Sequence, residues 1–298
     1  MPARGPLLIA DVPWLLYRSF FALPQSITGA DGGPVNALLG TVNTLLAVIG
    51  SHSPRAVAAC TGAEEARYRT ALYPAYHAHR DPMPAALAAQ WIAAPELLEA
   101  LGWHVSGSDE LEADDVMVSH ARVEAEAGGT ALLLTGDRDL FGAVGQHVAV
   151  LALGRGGATE EIGPAQVRER YGIGPELVAD FIALRGDPSD GLPGAPGVGA
   201  KTAAALLLQH GSLEAVLAAA VAAGGQSGSG DPMRPRTATA LTESSELLTR
   251  FKQIATLQQI AVSRPPDSAT DYARGADYAR KLGMNGLAKR LEHGAQQS

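Results

Sequence analysis

Several features are scarce in this sequence of 298 residues, and each scarcity argues against a class of protein. A single cysteine, Cys60, excludes an intramolecular disulfide and predicts a reducing, cytoplasmic location. The apolar run at residues 7–10 is broken by Asp11 and lacks the form of a secretion signal. No stretch reaches the length of a transmembrane helix, so no membrane association is expected. No Cys/His spacing typical of a zinc site is present.

Positive charge is also scarce, since the formal net charge is −8. Proteins that bind phosphate backbones usually carry a basic face, so this value argues weakly against nucleic acid as a ligand. Clustered carboxylates that hold divalent metal ions would lower the net charge without altering a separate binding surface. The distribution of charge therefore matters more than its sum.

Short apolar runs alternate with longer helical patterns in the first half of the chain, which predicts an α/β sheet with helices on both faces. The predicted strands are residues 7–10, 56–60, 103–105, 131–134 and 148–151. The predicted helices are residues 38–49, 87–101 (kinked or split at Pro95) and 111–127. After about residue 170 only short helices are expected, with a flexible loop at residues 224–235 and a frayed tail from His293.

Three acidic clusters stand out. The first lies in residues 108–116 and includes Glu112, Asp114 and Asp115; the second is Asp137 and Asp139; the third is Asp187 and Asp190. Each cluster alone can be read as a helix start or a turn. Functional sites of such sheets lie beyond the carboxyl ends of the strands, where Asp11, Asp137 and Asp139 are expected. If the clusters converge, their oxygen ligands suit Mg²⁺ or Mn²⁺, and two such ions favour phosphodiester hydrolysis.

A Gly-x-Gly turn, Gly197 and Gly199, stands directly before a helical pattern that contains Lys201 and Thr202. Its spacing is not that of a nucleotide-binding P-loop. Free N–H groups at a helix start can hold a phosphate, so a helix–hairpin–helix type grip on a DNA backbone is one reading, and a plain tight turn is the other. Residues 67–80 interleave basic and aromatic side chains, a pattern that suits an unpaired nucleic acid strand. Here Tyr73 is expected in the core, whereas Tyr76, His77 and Arg80 are expected to be exposed contacts.

Taken together, these motifs resemble the 5′-nuclease (flap endonuclease) family, and specifically the 5′→3′ exonuclease domain of bacterial family-A DNA polymerases. The resemblance runs from Leu7 to about Leu287 and rests on six ordered segments: residues 7–11, 16–24, 72–80, 112–116, 135–140 and 184–203. It implies a three-layer α/β/α PIN-like core (residues 1–175) with an arch around residues 64–90, and a helical helix–hairpin–helix-type subdomain (residues 176–292), followed by the tail 293–298. Since no polymerase domain follows, a stand-alone member is expected.

The resemblance also implies roles for individual residues. Glu112, Asp114 and Asp115 look like ligands of a tighter metal site, and Asp137, Asp139, Asp187 and Asp190 look like a second site, with Asp11 nearby. Arg80 resembles the arch arginine that engages substrate phosphates, and Arg69 and Tyr76 fall in the same DNA-binding strip. The glycine turn looks like a duplex grip that holds a K⁺ ion.

Two positions depart from the family pattern. Gly62 stands where the family carries an aspartate at the end of the second strand, with Glu64 or Glu65 as substitutes. His77 replaces the arch lysine and would serve the scissile phosphate only when protonated. The sequence therefore predicts a Mg²⁺- or Mn²⁺-dependent 5′→3′ exonuclease and flap endonuclease of replication and repair. The alternatives are a catalytically weakened binder of branched DNA and an unrelated metal-dependent phosphatase. The expected partners are DNA with 5′ flaps, nicks or ends, RNA primers on DNA, and a DNA polymerase. The protein is expected to be a monomer in the bacterial cytoplasm, associated with the nucleoid.

Overall fold

A six-stranded sheet forms the centre of this computed structural model, which describes residues 5–154, 157–223 and 232–296. Its strands are β1 (Leu7–Asp11), β2 (Ala56–Cys60), β3 (His104–Ser106), β4 (Ala131–Leu134), β5 (Val148–Leu153) and β6 (Thr159–Ile162). Their order is β3-β2-β1-β4-β5-β6, and all pairs are parallel except β5 with β6. The five predicted strands are confirmed. The sixth was missed because Thr-Glu-Glu-Ile at an edge position has no apolar run.

Thirteen α-helices lie within the described residues. They are α1 (Val12–Ala22), α2 (Asn36–His52), α3 (Arg67–Leu72), α4 (Ala85–Ala100), α5 (Ala113–Glu126), α6 (Pro164–Tyr171), α7 (Val178–Arg185), α8 (Ala200–His210), α9 (Leu213–Ala223), α10 (Pro235–Glu243), α11 (Ser245–Ala255), α12 (Tyr272–Lys281) and α13 (Asn285–Ala295).

Alternate residues of β1 enter two different hydrophobic cores, because successive strand side chains point to opposite faces. Leu7 and Ile9 pack with helices α5 and α7–α11, whereas Leu8 and Ala10 pack with α1, α2, α4, α12 and α13. Every residue of β1 is buried, as expected for a central parallel strand covered on both sides. The predicted three-layer α/β/α arrangement is confirmed.

The last two helices return to the face that carries α4. Ala276 of α12 and Leu287 of α13 lie in the same core as Leu97 of α4, and the connecting segment is fixed by Arg55, which pairs with Glu124 and Asp267. Residues 176–292 therefore do not pack as one helical unit, since α7–α11 cover one face of the sheet and α12–α13 the other.

Three local expectations change. Helix α4 continues through Pro95 without being split. Helix α13 extends to Ala295, so the expected fraying does not begin at His293. Of the expected flexible loop, residues 224–231 lie outside the described residues, and Pro235 begins α10. Within the described chain no single helix is long and apolar enough to cross a membrane; only α8 and α9 together, which are bent by 91°, meet that criterion by length and composition.

Candidate active site

A crevice of about 890 Å³ opens at the carboxyl ends of the central strands. The loops after β1 and β4, the start of α5 and the loop after α7 all contribute to it, as the position of parallel strand ends predicts. Seven of the eight predicted metal-binding carboxylates line this crevice: Asp11, Glu112, Asp114, Asp137, Asp139, Asp187 and Asp190.

The aspartates at the strand ends are fixed by hydrogen bonds from their own loops. Asp11 is the N-cap of helix α1, where its Oδ1 accepts the Trp14 N–H at 3.0 Å, and its Oδ2 accepts the Thr135 hydroxyl at 2.7 Å. Asp137 Oδ1 accepts the backbone N–H of Asp139 at 2.8 Å. The turn after Asp11, which is unusual in sequence, is thus a regular helix start with a side-chain cap and a proline in its first turn.

Burial makes the charged forms of these carboxylates costly. It raises the pKa of Asp11 to about 6 and that of Asp137 to about 7, and neighbouring carboxylates add to the effect at Asp137. The pKa of Asp114 and of Asp139 is raised well above the usual range, first by burial and then by the negative charge of Asp137. No cation of the described residues forms an ion pair with these four aspartates, so a bound cation would relieve their repulsion.

The first acidic cluster is divided between two environments. Asp114 faces the crevice, whereas Asp115 is fully buried behind it, where its Oδ1 accepts Arg69 Nη2 at 3.0 Å and the Gln258 N–H at 2.7 Å. Asp115, which was predicted as a metal ligand, thus does not line the crevice, because one residue along a helix turns a side chain by about 100°.

Arg69 was predicted to contact DNA, but it is 3% exposed and pairs with carboxylates of its own chain. Its Nη1 lies 2.6 Å from Glu112 Oε2 and forms an ion pair with it. The geometry of this contact is not that of a hydrogen bond. Its Nε donates to the carbonyl oxygen of Ile254 at 3.1 Å. The guanidinium thus joins α3 to α5 and α11.

Tyr76 and His77 were also predicted to be exposed, and both are buried. The Tyr76 hydroxyl donates to Glu112 Oε2 at 3.1 Å, and the His77 ring lies against Asp190, with 3.1 Å between Nε2 and Oδ1. His77 is therefore not placed to meet a substrate phosphate as a free cation. Arg80 is exposed as predicted, and its Nη2 lies 3.1 Å from the same Asp190 oxygen. Tyr73 packs on Phe251 in the core, as expected.

Gly62 lies at the end of β2 against the start of α5. The Ala63 N–H donates to the Leu111 carbonyl oxygen at 2.9 Å, which holds the two backbones in contact. Of its two candidate substitutes, Glu64 lines the crevice and accepts the Tyr17 hydroxyl at 2.9 Å, whereas Glu65 does not line it.

The glycine turn lies on the surface before α8. Gly197 has a φ of +76°, which favours glycine, and a side chain at Gly197 or Gly199 would meet no atom within 4 Å. Lys201 is exposed and Thr202 half-buried in the first turn of α8. The backbone at this helix start is therefore open to a ligand.

Sequence reasoning missed two groups of crevice residues. Arg138 and Arg185 line the crevice beside the second and third acidic clusters, and each lies in a motif that was interpreted only through its aspartates. The aromatic wall of Trp14, Tyr17, Phe21 and Trp91 also lines it, and Phe21 is 70% exposed. Tyr17 and Phe21 belong to a recognised segment without a predicted role, and Trp91 carried no sequence signal.

The donor set fits a divalent cation by chemistry, because it consists of carboxylate oxygens with uncompensated charge. These oxygens do not converge on a single point: within the described residues, no three His, Cys, Asp or Glu groups form a ready ligand set. Four carboxylates are instead in contact with protein cations, namely Glu112, Asp115, Asp187 and Asp190. The uncompensated four are the better candidates for direct ligands.

Two family models match consecutive parts of the chain. One, the 5′-3′ exonuclease N-terminal resolvase-like domain, covers residues 6–172, and the other, the 5′-3′ exonuclease C-terminal SAM fold, covers residues 173–270. The chain belongs to the 5′-3′ exonuclease family. Membership identifies it as a 5′-3′ exonuclease and excludes the unrelated phosphatase.

Individual relatives agree with this assignment. The chain is 37% identical to a 5′-3′ exonuclease of Mycobacterium tuberculosis, with 97% of each protein covered, and 34% identical to one of Streptomyces coelicolor, covering 95% of this chain and 98% of the other. It is 36% identical to DNA polymerase I of Mycobacterium bovis, where the match covers 94% of this chain and only 30% of the polymerase.

Solved structures share the fold. A bacteriophage T5 D15 flap endonuclease in complex with DNA and metal ions has a TM-score of 0.67 at 17% identity, covering 98% of this chain and 99% of the other. The catalytic core of Rad2 with DNA substrate has a TM-score of 0.64 at 10% identity, covering 97% and 93%.

Proposed function

We propose that this family member is a Mg²⁺- or Mn²⁺-dependent nuclease that cleaves DNA at 5′ ends, nicks and flap junctions. Its substrates include RNA primers annealed to DNA. The observation that carries the proposal is the crevice with four aspartates that form no ion pair with a cation of the described residues, namely the buried Asp11 and the half-buried Asp114, Asp137 and Asp139. Divalent ions bound by these groups would supply activation of water and neutralisation of the phosphate charge.

The chain's own residues perform the remaining tasks. Arg80, whose side chain is 45% exposed at the crevice, is free to turn from Asp190 towards a substrate phosphate. Arg138 is exposed at the same crevice and can contact a neighbouring phosphate. Asp11 is held by Trp14 and Thr135, which fixes the direction of its oxygens towards the crevice. These groups position a substrate strand along the row of aspartates.

The open glycine turn supports a second contact, on the duplex part of the substrate. The N–H groups at Gly197 and Gly199 and the ammonium of Lys201 would hold a backbone phosphate, and a K⁺ ion would occupy the same turn. A DNA polymerase as partner, a monomeric state and a cytoplasmic location with the nucleoid stay predictions.

The test is cleavage of a labelled 5′-flap duplex with Mg²⁺ or Mn²⁺, beside reactions with EDTA. We expect metal-dependent release of the flap by the wild type and none by Asp114→Ala or Asp139→Ala, each with wild-type circular dichroism. Unchanged cleavage by both folded variants would refute the assignment of the crevice. Tight flap binding by the wild type without release would instead identify a weakened DNA-binding relative. Nicked, gapped and RNA-primed duplexes in the same assay rank the substrates, and KCl against NaCl in a duplex-binding titration tests the K⁺ ion.

A further inference from the structure

The turn of residues 75–80 is clamped onto the loop that presents the third acidic cluster. The backbone N–H of His77 donates to the Asp190 carbonyl oxygen at 3.1 Å, and Arg80 Nη2 lies 3.4 Å from the Ser189 carbonyl oxygen. The packing is so close that a side chain at Gly191 would lie 2.9 Å from the Ala75 carbonyl oxygen. The two segments, more than 100 residues apart in sequence, therefore form one unit at the crevice wall.

His77 holds an unusual backbone conformation in this unit. Its φ is +56°, and apart from glycine only Ser53 shares a positive value among the described residues. A side chain in this left-handed region costs about 1–3 kcal/mol, so surrounding contacts must hold it there. Such contacts are present, because the ring stacks on Tyr76 with 3.7 Å between centroids and is 3% exposed. Strain of this kind is concentrated at functional sites.

The two side-chain oxygens of Asp190 differ in their hydrogen bonds. Oδ1 accepts from His77 Nε2, and since a carboxylate can only accept, Nε2 carries the proton. Arg80 reaches the same Oδ1 at 3.1 Å. Oδ2 accepts no hydrogen bond from any described residue, and Asp190 lines the crevice. One oxygen is thus fixed and the other is left for a ligand in the crevice.

We propose that His77 is a positioning residue that fixes Asp190 for divalent-cation binding, in place of acting on the substrate itself. The inference rests on the proposed function. His77 and Arg80 share one oxygen but differ in freedom: Arg80 is half-exposed and can leave for a phosphate, whereas His77 is buried and anchored by its backbone. Asp190 therefore keeps its orientation when Arg80 moves. Hydrogen-bonding partners of metal ligands commonly contribute 10–100-fold to metal affinity.

The experiment compares Mn²⁺ binding by the wild type and His77→Gly, measured from the electron paramagnetic resonance of free Mn²⁺. Glycine suits the positive φ, so this variant removes the ring without adding strain. We expect Mn²⁺ affinity to fall by about tenfold and to recover when imidazole refills the space. The matched control is His79→Gly, two residues along in the same turn, where the exposed ring makes no hydrogen bond to any described residue. Its Mn²⁺ affinity should stay within about twofold of the wild type.

Equal Mn²⁺ affinity of folded His77→Gly and wild type would overturn the positioning role while leaving the proposed nuclease intact. A wild type that binds no Mn²⁺, or an Asp114→Asn variant that binds it unchanged, would overturn the proposed metal site and this inference with it. If His77→Gly does not fold, His77→Asn replaces it, because asparagine tolerates a positive φ and is too short to keep the ring's contact. The same tenfold loss supports the role, and an unchanged affinity refutes it.

Discussion

Gly62 lies where the resemblance to 5′ nucleases places an aspartate, so Gly62→Asp is the natural attempt to restore a lost ligand. The structure predicts that the attempt fails. A Cβ at Gly62 would lie 2.4 Å from the Ala113 nitrogen, 2.5 Å from the Glu112 carbonyl carbon and 2.7 Å from the Leu111 oxygen. All three are backbone atoms, which cannot move aside as a flexible side chain would. Any side chain at Gly62 must therefore separate β2 from the start of α5.

The cost can be approximated from two contributions. Extra atoms in a tightly packed position commonly cost about 1–3 kcal/mol. Loosening the hydrogen bond from Ala63 to Leu111 adds about 1 kcal/mol. We expect Gly62→Ala to lower the free energy of unfolding by about 2–4 kcal/mol. Gly62→Asp should lower the free energy of unfolding further. The negative charges of Asp11 and Asp114, which together with burial raise the pKa of the neighbouring Cys60, would also repel a new carboxylate at position 62.

The assay is urea denaturation in EDTA, with Gly50→Ala as the control. Gly50 lies in α2, where an added Cβ would meet nothing within 4 Å, so alanine should stabilise the protein by about 0.5–1 kcal/mol. Flap cleavage by Gly62→Asp should not exceed that of the wild type. A stability of Gly62→Ala within about 0.5 kcal/mol of the wild type would refute the steric argument, and faster cleavage by Gly62→Asp would show that the position can still hold a ligand.

Three further predictions follow from the buried ionisable groups. Asp139→Asn should abolish cleavage yet raise the free energy of unfolding in EDTA at pH 8. Burial first, and then the charge of Asp137, raises the pKa of Asp139, so the contribution of this carboxyl group to stability is present at low pH and is lost as the pH rises. A variant less stable than the wild type at pH 8 would contradict this. His77→Lys should melt at a lower temperature than the wild type and cleave no faster than the wild type at pH 8, because the new ammonium would be buried at a positive φ. Faster cleavage than the wild type at pH 8, with an unchanged melting temperature, would restore a direct phosphate role. Burial first, and then His104, lowers the pKa of His120 to about 4. The contribution of neutral His120 to the free energy of unfolding is therefore complete above about pH 7 and is lost as the pH falls from 6.5 towards 4. The loss is about 2 kcal/mol at pH 5. Urea titrations at pH 7.5 and 5 should show a smaller acid loss for His120→Leu than for the wild type, and an equal loss would exclude His120 as the cause.

The sequence predicted the sheet because its signal is local. Residues 7–10, 56–60 and 131–134 are apolar runs, and strands buried on both faces require such runs. The meeting of Asp11 with Asp137 and Asp139 also followed, since the ends of parallel strands share one edge. Strand β6 and helix α1 were not predicted, because the first is half charged and the second begins next to Pro13, directly after a strand.

The partners of the basic segment could not be predicted from the same signals. Arg69, Tyr76 and His77 look like surface contacts in a strip of basic and aromatic residues, yet each is buried against a carboxylate 36 or more residues away. Local composition cannot distinguish a cation that meets solvent from one that meets an acidic group of the same fold. The difference between Asp114 and Asp115 has a similar origin, because it depends on where α5 begins, and the boundaries of helices and strands are the least predictable part of an assignment from sequence.

These pairings change the meaning of the net charge of −8. Four of the crevice-region carboxylates have partners of their own: Arg69 lies against Glu112 and Asp115, Arg185 against Asp187, and His77 against Asp190. These pairs therefore neither attract nor repel a phosphate strongly. The remaining four aspartates of the crevice repel a DNA strand until cations neutralise them. Binding of divalent ions and binding of DNA should therefore strengthen each other, since each ion removes a repulsion that the strand would otherwise meet. Among the exposed cations, Arg138 and Arg80 line the crevice, the latter beside Asp190, and Lys201 lies at the glycine turn, so the loss of these three should weaken DNA binding most.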